Sequence, residues 1–98
     1  MTVRHVVCFR FHPGTEPTAI EALGSALRSL GDRLPQVRTY DVGPDVGVNP
    51  PSWDFAVSAT FDDADGYLAY RDDPDHQAII RDLVDPITDQ RVSVQFEV

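Results

Sequence analysis

Two hydrophobic periodicities take turns along this chain, and their order restricts the fold more than any other feature. From Thr2 to His12, the residues Val3, His5, Val7, Phe9 and Phe11 fall at every second position, the spacing of a strand with one covered face. Ile20, Leu23, Leu27, Leu30 and Leu34 then recur at intervals of three and four, a single stripe along a helix. Thr15 or Thr18 is its expected cap, the latter with Glu21 completing a capping box, and Gly31 and Pro35 mark its expected end. Val37 to Val42 predicts a weaker second strand, and the breaker-rich stretch Gly43 to Pro51 predicts a loop. Trp53, Phe55, Val57, Ala59 and Phe61 alternate with smaller or polar residues in the clearest strand of the chain. Asp62 or Asp63 then predicts the start of a short helix carrying Tyr67, Leu68 and Tyr70. Asp73 before Pro74 opens another, with His76, Ile79, Ile80, Leu83, Val84 and Ile87 on one broad face and Pro86 disturbing its last turn. Val92, Val94, Phe96 and Val98 alternate through a final strand. The order βαββαβ is that of an α+β, ferredoxin-like sandwich: a four-stranded antiparallel sheet with helices on one face.

At 98 residues the chain is expected to form one domain over 1–98. With 42% apolar residues it is too hydrophobic to stay disordered, and no apolar run reaches the ~18 residues of a membrane span. Its positive charges are eight arginines against 16 carboxylates, so binding to nucleic acid or to an anionic bilayer is not expected. A single cysteine and the absence of an apolar leader at Met1 to His5 make the cytoplasm the expected compartment. One side of the sheet is left without helices. There Val6 and Cys8 on strand one, and Ala56, Ser58 and Thr60 on strand three, suit a contact with a second copy better than open water. A homodimer closed into a barrel is therefore expected, with Trp53 at the seam or at a pocket rim.

Three residues stand out as carriers of acid–base chemistry. His5 shares its strand face with Val7 and Phe9, so its ring points between sheet and helices, where desolvation favours the neutral form that a base needs. His76 sits in the first turn of its helix, between a dipole that opposes protonation and the carboxylates Asp72, Asp73 and Asp75 that favour it. Tyr70 brings a hydroxyl able to stabilise an enolate or orient a histidine. The expected pocket walls are Val7, Phe9 and Val57 from the sheet, Leu23 and Leu27 from the first helix, and Tyr67, Ile80 and Leu83 from the later ones. Cys8 lies on the opposite strand face from His5, so no Cys/His pair is expected. The histidines lack metal-ligand spacing, the aspartates read as caps, and the glycines at 43 and 47 do not form a nucleotide loop. Neither a metal nor a cofactor is expected.

Five short motifs in order resemble one family. They are Arg4-His5-Val6-Val7-x-Phe9-x-Phe11, the Pro-Gly-Thr turn at 13–15, Gly43-x-Asp45-x-Gly47-x-Asn49-Pro50, Asp54-Phe55-Ala56-Val57, and Tyr70-x-x-x-Pro74-x-His76-Gln77. Together they are similar to the stress-responsive dimeric α/β-barrel (Dabb) family, over essentially the whole chain. The resemblance implies a ferredoxin-like subunit that dimerises into a barrel. Family members include stress-induced proteins without assigned catalysis and olivetolic acid cyclase, a polyketide cyclase, whose strand-one histidine, helical histidine and preceding tyrosine correspond to His5, His76 and Tyr70. Where that cyclase has a pocket tyrosine in helix one, this chain has Leu27. The expected function is thus a cofactor-free cyclase or isomerase acting on a small aromatic or polyketide-like carbonyl compound. The alternatives are a non-catalytic, stress-linked oligomeric protein and a cofactor-free monooxygenase.

Overall fold

A computed structural model describes Met1–Val98. The strands β1 (Val3–Phe11), β2 (Val37–Pro44), β3 (Phe55–Phe61) and β4 (Thr88–Glu97) form one sheet in the order β2-β3-β1-β4, with every neighbouring pair antiparallel. The helices α1 (Pro17–Arg33), α2 (Ala64–Asp72) and α3 (Pro74–Ile79) pack on one face. No helix is long and apolar enough to cross a membrane. The register sets His5 beside Ala59 on β3 and Gln95 on β4, so His5, Val7, Phe9, Val57 and Ala59 share the helix-covered side. Leu23, Leu27 and Leu30 of α1 close the core over them.

Several boundaries differ from the sequence expectation. Neither Thr15 nor Thr18 caps α1: Glu16 occupies the cap position without a side-chain bond, and Pro17 supplies a first turn whose amide needs no partner. The Thr15 hydroxyl instead donates to the carbonyl of His12 and closes the preceding turn. Gly31 lies inside α1 rather than ending it. A Cβ there would meet the ring of Tyr40 at 2.6 to 2.9 Å, so the missing side chain admits an aromatic ring against the helix. Gly43 and Pro44 extend β2, paired with Ala56 and Phe55, so the loop begins at Asp45. Asp63, not Asp62, caps α2 by accepting from the amide of Gly66 at 2.8 Å. Asp73 accepts from the amides of Asp75 (2.9 Å) and His76 (3.1 Å), as a residue before a helix-starting proline should. Beyond Ile79 the helix widens into a π turn at Ile80–Val84, closed by Asp85 N–H donating to the Ile80 carbonyl, and Pro86 ends it.

The opposite face of the sheet is bare. Val92, Val94 and Phe96 stand there at 56, 55 and 44% exposure, opposite Cys8, Val6 and Arg4. On the other side of β1 the same face continues through Ala56, Ser58 and Thr60.

Candidate active site

His5 and His76 reach one cavity of about 350 Å³ between the sheet and the helices. Each arrives for a local reason. Alternation along β1 turns His5 inward, and the Asp73–Pro74 start places His76 in the first turn of α3 with its ring against Tyr70. Val7, Phe9 and Val57 form the sheet wall, and Leu27, Ile80 and Tyr67 the helix wall. Leu23 and Leu83 lie elsewhere: Leu23 is fully enclosed in the core, and Leu83 packs on the core from the π turn. Arg71, Gln77, Arg91 and Ser93 line the cavity too; the sequence motifs contain Gln77 but give no signal for the other three.

Hydrogen bonding sorts the two imidazoles into opposite states. Gln95 Nε2 donates to His5 Nδ1 at 2.8 Å, which leaves the His5 proton on Nε2. His76 Nδ1 lies 3.0 Å from the carbonyl of Arg71 and must donate to it, which leaves His76 Nε2 as a free acceptor. Gln77 Nε2 donates to the same carbonyl at 2.6 Å. His5 is only 6% exposed, and burial, with a smaller contribution from His76, pulls its pKa from 6.5 to about 4. Burial also lowers the His76 pKa, outweighing its bond to Arg71 and the charge of Asp73, while Arg91 adds to the lowering. The balance left open by sequence, dipole against carboxylates, is thus tipped toward the neutral ring by desolvation.

The tyrosines divide their work differently from the expectation. Tyr70 is buried, stacks on His76 with ring centroids 4.2 Å apart, and spends its hydroxyl on that of Tyr40 at 2.8 Å. Burial and the neighbouring Tyr40 raise its pKa far above the ordinary phenol value. Tyr67 lies closer to His5, with centroids 4.8 Å apart, and its hydroxyl has no partner within the protomer. Tyr40 was not recognisable as part of this cluster, since its reach to Tyr70 depends on the gap left by Gly31. Trp53 is remote from the histidines. It carries Arg10 over its ring at 4.8 Å and borders a second hollow of about 500 Å³ on the bare face, with Cys8, Ala56 and Val92.

The fold and the cavity together define a class: ferredoxin-like α+β subunits with a bare sheet face and a histidine-lined hollow beneath the helices. The chain matches the Stress responsive A/B Barrel Domain family, Dabb, over residues 3–98, and it belongs to that family. It is 32% identical over 79 residues to an uncharacterized protein of Streptomyces coelicolor, covering 78% of this chain and 80% of that protein. Among solved structures it is similar to a dimeric ferredoxin-like protein of unknown function from Thermobifida fusca. That likeness has a TM-score of 0.92 and 37% identity, and covers 100% of this chain and 92% of the other. The hydroxynitrile lyase of Passiflora edulis shares the fold at a TM-score of 0.85 and 18% identity, covering 99% of this chain and 93% of the lyase.

Proposed function

We propose that this chain forms a homodimer whose cavity carries out cofactor-free proton transfer on a small aromatic or polyketide-like carbonyl compound, ending in ring closure or isomerisation. The observation that carries the reading is the opposite hydrogen bonding of His5 and His76 at one cavity with largely apolar walls. His76 Nε2 takes a proton from the carbon beside a carbonyl. The C–H electron pair becomes the enolate double bond, and the carbonyl pair moves to oxygen. That oxyanion accepts from His5 Nε2–H and from the Tyr67 hydroxyl. Protonated His76 then returns that proton either to a different, conjugated carbon of the enolate, which completes an isomerisation, or, after the enolate carbon has attacked a second carbonyl, to the alkoxide so formed, which completes ring closure. Tyr70 acts as a positioning residue, its ring holding that of His76. The hydroxynitrile lyase of the same fold shows only that such a scaffold can house an enzyme.

A second copy is supported by the bare face. Val6, Cys8, Val92, Val94 and Phe96 form a continuous apolar strip, and the buried Nε of Arg4 on that face has no partner within the protomer. The similar Thermobifida fusca protein is dimeric.

The chemistry is tested with acetophenone in D2O, following loss of the methyl proton signal by NMR. The wild-type protein should speed exchange above the buffer rate. H76N, whose amide keeps the bond to the Arg71 carbonyl but offers no ring nitrogen, should return it to that rate. Exchange at the wild-type rate in H76N would remove His76 from the reaction.

A further inference from the structure

The cavity has a charge balance opposite to that of the chain. The protein carries 16 carboxylates against eight arginines, yet the cavity is lined by two arginines and no carboxylate. Arg71 is satisfied outside it, with Nε 2.9 Å and Nη2 3.2 Å from the Asp72 carboxylate. Arg33, Arg38 and Arg81 likewise hold Asp75, Asp62 and Asp82, Arg10 covers Trp53, and Arg28 reaches the carbonyl of Val42. Arg4, on the bare sheet face away from the cavity, has no ion pair or side-chain hydrogen bond within the protomer; of the two cavity arginines, Arg91 is the one that has neither. It stands on β4 opposite Phe9, on the same strand face as Ser93 and Gln95, and so at the open edge of the hollow that ends at His5. In a chain with twice as many acids as bases, a cation left unpaired at a cavity mouth is unexpected unless its counterion comes from outside. A guanidinium suits a carboxylate in particular, because its parallel N–H groups match both oxygens.

We infer that Arg91 is the anion-binding group of this cavity, and that the compound it takes carries a carboxylate at the end remote from the histidines. The inference rests on the acid–base reading of the same cavity and narrows its substrate class to anionic carbonyl compounds. Placement follows from the same geometry. With its charged end held at the mouth by Arg91, the apolar body of the molecule lies along Phe9, Val57 and Leu27, and its carbonyl is directed inward to His5 and His76. The net charge of -8 works against an anion in general, so the preference is expected to be local to this side chain.

The test uses salicylate and its neutral isostere salicylamide at pH 7, with binding to the wild-type protein and to R91M and R91K followed through the imidazole resonances of His5 and His76. Salicylate should bind at least about tenfold more tightly than salicylamide, as expected for a charge-assisted contact. R91M should erase that preference by weakening salicylate alone, and R91K should retain part of it. Equal affinity for the two compounds in the wild-type protein, or a preference that survives R91M, overturns the role of Arg91 and leaves the cavity reading standing. If neither compound moves the His5 or His76 resonances, the cavity reading fails and this inference falls with it.

Discussion

Gln95 donates its side-chain amide to Nδ1 of His5 across directly opposed positions of β4 and β1. The bond joins residues 90 apart in sequence at 2.8 Å and decides which nitrogen of a buried imidazole bears the proton. His76, in α3, is fixed in the reverse sense by the carbonyl of Arg71 near the end of α2. In 15N-edited spectra at pH 7, His5 should therefore appear as the Nε2–H tautomer and His76 as the Nδ1–H tautomer. Q95L should release His5 into a mixture of both. It should also reduce ketone exchange about tenfold or more, since a misoriented donor no longer meets the oxyanion.

The depressed pKa of His5 makes folding sensitive to acid. Its value falls from 6.5 to about 4 because burial disfavours the imidazolium, with His76 adding to the effect. Between those limits the unfolded chain binds a proton that the folded chain refuses, so stability is fully present above pH 6.5 and declines as the pH drops toward 4. At roughly 1.4 kcal/mol per pH unit, the loss attributable to His5 is on the order of 3 kcal/mol. Urea unfolding at pH 7.5 and 4.5 measures it. H5N, which cannot titrate, should start less stable and show a distinctly smaller drop between the two conditions.

How far the site is legible from sequence depends on which contacts are local. Alternation alone turns His5 inward, and the Asp73–Pro74 cap alone puts His76 in a first helical turn. What brings Tyr70 and His76 to the same hollow as His5 is the packing of α2 and α3 on the sheet, which the inward faces of the separate elements and the family resemblance both predict but neither fixes in distance. Gln95 and Arg91 carry no local signal. They belong to the polar side of an edge strand, and only the β1–β4 register shows that this side lines the cavity while Val92, Val94 and Phe96 face outward. Tyr40 is hidden for a different reason, because the space it fills is created by a glycine that also reads as a helix terminator.

That glycine supplies a test of the Tyr40–Tyr70 pair. Gly to Ala inside a helix ordinarily gains up to about 1 kcal/mol. At Gly31 the new methyl would lie 2.6, 2.7 and 2.9 Å from Cγ, Cδ2 and Cβ of Tyr40, too near for the ring to stay. G31A should therefore destabilise the fold by about 1 to 2 kcal/mol through overpacking and the disturbed hydroxyl pair. In a Y40A background, where Cγ and Cδ2 are gone and only Cβ remains near the new methyl, the same substitution should cost distinctly less. Thermal melts of the four proteins give the size of each step.

The bare sheet face leads to a prediction about assembly. Val94 is the middle residue of the outward row on β4, lies opposite Val6, and is 55% exposed in the protomer. If a second copy covers this row, an aspartate at 94 would be buried against apolar groups with no partner, a cost of several kcal/mol that is counted once from each subunit. Sedimentation at micromolar protein should then find the wild-type chain as a dimer and V94D as a monomer, with the dissociation constant raised at least a hundredfold. Leu68, which is 38% exposed on α2 at the far side of the sheet, supplies the control. L68D adds the same charge to another apolar position, and it should leave the dimer intact. A wild-type chain that sediments as a monomer, or L68D and V94D that dissociate alike, would refute a sheet-to-sheet interface. Because the acid–base cavity lies within one protomer on the helix side, V94D should also keep the His5 and His76 tautomers of the wild type, which separates loss of assembly from loss of the site.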